Sequence, residues 1–272
     1  MTSPGASSTL TPADFAFAFN CIGEVSLEER LAAAKAAGFV EIGLSCRWMR
    51  LWLQDHDIAE LDALLAETGM RVGELEALRV LKEQPDPLED VAALLAERYR
   101  PRRLQVVGDY EGTLDEAATR LARVADRFGQ WGLDVVLEPL PFTNVTTPAI
   151  GADLVRRADR PNVGLCLDIW HVYRAGLDFS CLDGVWPYIL TLQMNDGTVV
   201  AEDPDLYDDC LANRRVLGDG EFDIVGLLRQ RDQFKPDTTF SMEVISTRLR
   251  EQDAHQTAQE IADGLLRVAA LV

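Results

Sequence analysis

The chain is short of positive charge. Its 45 aspartates and glutamates face only 26 lysines and arginines, a formal net charge of −19 over 272 residues. So negative a surface repels phosphate backbones and anionic headgroups, which argues against nucleic acid and membrane as partners. Histidine is scarcer still, with three copies, His56, His171 and His255. Long apolar runs are missing: none approaches the ~18 residues of a membrane span, and the opening MTSPGASSTLTPAD lacks the basic and apolar regions of a secretory leader. These absences predict a cytoplasmic protein whose residues 1–12 form a flexible tail. Cys21, Cys46, Cys166, Cys181 and Cys210 make no CxxC pair and no metal-finger spacing, and several lie in apolar runs, so they read as reduced core thiols. No linker rich in Pro, Gly or Ser divides the chain, and residues 13–272 are expected to form one domain.

Apolar residues are 47% of the chain, enough for a sizeable core. Eight strand-like runs punctuate the sequence: FAFAF (15–19), VEIGL (40–44), RVGELEAL (71–78), RRLQVVG (102–108), LDVVLE (133–138), NVGLCLD (162–168), YILTLQ (188–193) and TTFSMEV (238–244). Helical stretches lie between most of them. Ser26 and Glu29 have capping-box spacing ahead of one helix, which Gly38 closes, and Asp57 and Glu60 repeat the spacing ahead of the next. The stretch around FSCLDGVWPY, between the sixth and seventh runs, has the weakest helical pattern. Strands separated by helices must pair in parallel. An open doubly wound sheet would want a GxGxxG turn after its first strand, and FNCIGEVS has none, so a closed (β/α)8 TIM barrel is expected, at a length near the ~250 residues typical of one.

In such a barrel the active site gathers at the carboxyl ends of the strands. There the fifth run ends on Glu138, the sixth on Asp168, the seventh passes Gln193 and reaches Asp196, and the eighth contains Glu243. An acidic residue after a strand is as often a helix N-cap or an arginine's partner as a ligand. Several converging on one low-dielectric space need a cation, or a proton, to coexist, and a divalent metal is the simplest supply. His171, three residues beyond Asp168, can lean back over such an ion, whereas His56 and His255 lie in polar, helix-associated stretches. Of Arg214 and Arg215 in NRRVLGDGEFD, one can reach a substrate and the other the acidic surface. Trp48, Met49, Trp52 and Trp170 are candidates for pocket walls or for packing. The acidic segment AEDPDLYDD (201–209) is expected to be solvated.

These strand ends resemble the xylose-isomerase-like sugar isomerase/epimerase family of TIM barrels. The likeness covers nearly the whole chain: LEP with Glu138, LDxWH with Asp168 and His171, the position of Gln193, RxVxGxG with Arg214, and MEV with Glu243. It implies that Glu138, Asp168, Gln193 and Glu243 bind a divalent metal, that Glu138 and Glu243 exchange protons at the reacting carbon, and that His171, Arg214 and Trp170 meet the substrate. Family members commonly have histidine where this chain has Gln193, although the hydroxypyruvate-isomerase-like branch also has glutamine. The change makes the shell all oxygen and favours Mn²⁺ or Mg²⁺ over Zn²⁺. Asn144 stands where some keto-sugar epimerases have a further substrate-binding glutamate.

The implied activity is isomerisation or epimerisation of a small hydroxy-carbonyl compound, a keto-sugar or similar, by carboxylate-mediated proton transfer through an enediolate. A lyase or dehydratase using the same enediolate, and a non-catalytic barrel subunit, are the alternatives. Metal-dependent endonucleases share the fold but assemble zinc from many histidines, which three histidines and the acidic surface disfavour. A homo-oligomer is left open.

Overall fold

The computed structural model describes residues 10–272. The expected tail at 1–12 lies mostly outside the described residues; Pro12–Asp14 already form a 3₁₀ turn leading into the first strand. All eight expected strands are present: β1 (Phe15–Phe17), β2 (Glu41–Ser45), β3 (Arg71–Leu78), β4 (Arg103–Val106), β5 (Asp134–Leu137), β6 (Val163–Asp168), β7 (Ile189–Met194) and β8 (Thr239–Met242). They pair in parallel in sequence order, and β8 returns to β1 with Phe15 opposite Phe240 and Phe17 opposite Met242. The fold is a closed (β/α)8 TIM barrel. No helix among the described residues is long and apolar enough to cross a membrane.

The local signals act as their chemistry dictates, with two differences. Asp57 and Glu60 complete a capping box at helix Ile58–Thr68, each side chain accepting the other residue's backbone N–H. Ser26 accepts the N–H of Glu29 at 3.1 Å, but Glu29 does not reach back, so helix Leu27–Ala36 has half the motif. Gly38 follows that helix at φ +93°, a backbone that side chains rarely adopt. Around FSCLDGVWPY the chain forms only two 3₁₀ turns, Phe179–Leu182 and Trp186–Tyr188, while a six-residue helix, Ile169–Arg174, directly follows β6.

Layers of branched apolar side chains usually fill such a barrel. Here much of the interior is polar. In the lower half, Arg103 donates to Glu74 at 2.8 Å, to Thr239 Oγ1 at 2.9 Å and to the Phe240 carbonyl at 3.1 Å, and Ser241 donates to the other Glu74 oxygen. One layer up, Gln105 Nε2 donates to Glu138 Oε2 at 2.6 Å and to Gln193 Oε1 at 3.4 Å, and Cys166 Sγ donates to the same Gln193 oxygen at 3.2 Å. Buried polar groups need partners, and these networks supply them while tying opposite strands together.

Candidate active site

Three of the carboxylates expected at the strand ends meet at the mouth. Glu138, Asp168 and Glu243 are all buried. Asp168 has both of the roles weighed for it. Its Oδ1 caps helix Ile169–Arg174 by accepting the Trp170 N–H at 2.9 Å, and also accepts from Asn195 Nδ2 at 2.8 Å. Its Oδ2 lies 2.8 Å from Arg214 Nη1, which is equally 2.8 Å from Glu243 Oε2. His171 Nε2 lies 3.2 Å from Glu138 Oε1 and 3.7 Å from Asp168 Oδ2.

Two cationic side chains therefore hold three carboxylates. Burial pushes Glu243 well above the usual carboxylate range, with Glu138, Glu76 and Asp168 adding repulsion that Arg214 only partly offsets. Burial alone would lower His171, but the Cys210 thiol, Glu138 and Asp168 overcome it and raise the imidazole to about 10.

The donor set fits a divalent ion. One oxygen each of Glu138 and Asp168 and a ring nitrogen of His171 lie within 4.8 Å of one another. A metal there would replace the imidazole proton, since a ring nitrogen binds metal only when unprotonated. Of the other expected ligands, Gln193 Oε1 accepts from Gln105 and Cys166, and Glu243 Oε2 accepts from Arg214. With a nitrogen in the trio the donors are mixed, and the reason for preferring Mn²⁺ or Mg²⁺ over Zn²⁺ falls away.

Arg214, expected at the substrate, has every guanidinium nitrogen engaged within the protein. Besides the two carboxylates, it donates to the Glu243 carbonyl, to the Cys210 carbonyl and to Cys210 Sγ. Arg215 points away and pairs with Glu202. Asp196 lies apart from the carboxylates and organises this segment, accepting the N–H groups of Gly197, Gly218, Gly220 and Phe222. Trp170 is fully buried, with the Arg174 guanidinium 3.9 Å and the Arg214 guanidinium 5.7 Å from its ring centre. Met49 is likewise buried, while Trp48 and Trp52 border a separate cleft with His56. Asn144 stitches the loops after β4 and β5 by exchanging hydrogen bonds with Tyr110.

The acidic segment 201–209 is largely exposed, as expected, with Asp209 the exception. Asp209 is buried 2.5 Å from Arg174 Nε and accepts the N–H groups of Glu202 and Asp203, anchoring helix Leu206–Ala212. Tyr207 from that helix packs edge-on against Phe142, which in turn packs edge-on against His171, forming a roof over the site.

Sequence reasoning missed Glu76, Gln105, Asn195 and Cys210. Glutamates two apart in RVGELEAL were a usable signal, since alternation puts both on one face of a strand. The burial of the Arg214 neighbourhood gave no signal, because its carboxylate partners Asp168 and Glu243 come from distant segments.

A family model described as xylose isomerase-like TIM barrel matches residues 31–267. No curated protein matches the sequence. Many solved structures share the fold. The IolI protein, in a crystal structure with a bound zinc atom, superposes with a TM-score of 0.79 at 18% identity, over 94% of this chain and 98% of its own. D-psicose 3-epimerase from Clostridium cellulolyticum H10, in a structure with D-tagatose, gives 0.66 at 15% identity, over 95% and 99%. A xylose isomerase-like TIM barrel/4-hydroxyphenylpyruvate dioxygenase fusion protein gives 0.78 at 22% identity over 93% of this chain, which spans only 41% of that longer one.

Proposed function

This chain belongs to the xylose isomerase-like TIM barrel family, and from that premise we propose that it is a divalent-metal-dependent isomerase or epimerase of a small hydroxy-carbonyl compound of the keto-sugar type. The observation that carries the reading is the meeting of Glu138, Asp168 and Glu243 with His171 at one buried mouth. The likeness in fold to a sugar epimerase and to a zinc-bearing relative supports it. Five free cysteines suit a reducing, cytoplasmic setting.

Glu138, Asp168 and His171 would hold the ion, which when bound polarises a substrate carbonyl as a Lewis acid. Glu243 is the proton-transferring base. Its Oε2 is fixed by Arg214, while Oε1 has no hydrogen bond among the described residues and is left to reach a substrate C–H. Burial raises its proton affinity, and the Arg214 guanidinium 2.8 Å away opposes that rise and favours the carboxylate form that a base needs. Arg214 positions Asp168 and Glu243 relative to each other. Phe142 and Tyr207 cover the site and limit access of water.

Proton return to the adjacent carbon gives an isomer, and return to the opposite face gives an epimer. Incubation with a ketohexose panel and Mn²⁺ in D₂O should place deuterium at a carbon beside the carbonyl, and Glu243→Gln should abolish the exchange. A wild-type protein that exchanges no C–H in any ketohexose would overturn the reading.

A further inference from the structure

We propose that Glu76 is a catalytic carboxylic acid of this site: from β3 it gives a proton to the substrate carbonyl oxygen as Glu243 removes one from the neighbouring carbon. The proposal rests on the isomerase or epimerase reading above. No motif singled out Glu76, and four observations converge on it.

The side chain faces the barrel interior. Glu74, two residues earlier, contacts Ser241 on β8 and Arg103 on β4, and strand alternation turns Glu76 the same way, one layer nearer the carboxyl end. Gly43 on β2 leaves room for it: a Cβ there would lie 2.0 Å from Glu76 Oε1 and 3.1 Å from Glu74 Cγ.

The carboxyl is half-satisfied. Oε1 accepts the Phe19 N–H at 3.0 Å. Oε2 is buried and has no hydrogen-bond partner among the described residues, in a side chain only 4% exposed. Buried polar atoms are rarely left so, and a ligand oxygen is the partner this one lacks.

Neighbouring carboxyls are already engaged. Glu138 has Gln105 on one oxygen and His171 on the other. Asp168 has Trp170 and Asn195 on one and Arg214 on the other. Apart from Glu243 Oε1, Glu76 Oε2 is the carboxyl oxygen left to meet a substrate.

The environment keeps a proton on it. Burial and the charge of Glu74 on its own strand raise Glu76 to about 8, with Glu138 on the far side adding to them, against the Phe19 N–H and Arg30 of helix Leu27–Ala36. Glu243, Cys21 and Cys46 also face it. At neutral pH it therefore has an O–H to donate.

The step balances. Glu243 takes the C–H proton, the electron pair of that bond forms the C=C bond, and the carbonyl π pair goes to oxygen, which receives the Glu76 proton. Isomerisation is completed when the hydroxyl on the deprotonated carbon gives its proton to Glu76 and becomes the new carbonyl, while the C=C pair takes the Glu243 proton at the former carbonyl carbon. Both residues end as they began.

Glu76→Gln tests this, since it preserves shape and the acceptor for Phe19 while removing the transferable proton. With a ketohexose and Mn²⁺ in D₂O, the variant should lose exchange by about 10²- to 10⁴-fold, the range for one general acid, in kcat rather than KM. Its pH profile should lack the alkaline limb near 8 that the wild type shows. Independently of substrate, the infrared band of a protonated carboxyl should be present in the wild type at pH 7 and reduced in the variant. Equal exchange and equal pH profiles would sink the Glu76 assignment alone, as would unchanged infrared spectra. A wild type inactive on every ketohexose would sink the parent reading together with it.

Discussion

Replacing Arg214 by methionine should be the most costly single change at the mouth. The guanidinium is buried and lies 2.8 Å from both Asp168 and Glu243, and methionine keeps much of its length without the charge. Two carboxylates would then face each other in a buried space with no cation between them. Removing one partner of a buried ion pair costs about 3–5 kcal/mol, mostly as the penalty of the charges left behind. A loss of about 4 kcal/mol reduces the folding equilibrium constant roughly a thousandfold at 1.4 kcal/mol per decade. The variant can recover part of this by protonation. Without the arginine, the folded carboxylates bind protons more tightly than in the unfolded chain, so stability should rise as pH falls. Urea unfolding followed by circular dichroism at pH 7 and pH 5 reads both effects. A loss under about 1 kcal/mol at pH 7, or the same loss at both pH values, would refute the ion-pair account of this residue.

Asp196→Ala removes the acceptor of four backbone N–H groups and should cost about 2 kcal/mol. Hydrogen exchange at Gly218 and Gly220 should accelerate, and unchanged protection there would contradict the anchoring role. Asp209→Asn breaks the buried pair with Arg174 at a cost of about 3 kcal/mol, and limited proteolysis should then cut within 201–212; resistance equal to wild type would count against it. His171 titrates near 6.5 unfolded and near 10 folded, so its stabilisation is complete below 6.5 and is lost as pH rises through about 10. It amounts to at most about 5 kcal/mol. Wild type should therefore lose more stability than His171→Gln between pH 7 and 10, and parallel alkaline slopes would exclude the imidazolium.

The barrel was legible because its signals are local. Apolar runs at regular spacing, capping pairs such as Asp57 and Glu60, and the absence of a phosphate-binding glycine turn each act within a few residues. Glu138, Asp168 and Glu243 were legible for a related reason, since topology alone puts strand ends at one mouth. Side-chain direction was not. Gln193 occupies the expected strand position, yet its amide serves Gln105 and Cys166, partners that only the closed barrel brings near. Trp170 adjoins the site in sequence and packs against Arg174, Phe222 and Arg214. In the acidic segment 201–209 only the burial of Asp209 was hidden, because its partner Arg174 lies 35 residues away in the chain.

The convergence of Glu138, Asp168 and His171 on one cation is tested most directly by titrating the purified protein with Mn²⁺ and following the free ion by electron paramagnetic resonance. One ion per chain is expected, with binding weakened about tenfold or more in Asp168→Asn. No bound Mn²⁺, or binding indifferent to Asp168→Asn, would contradict it.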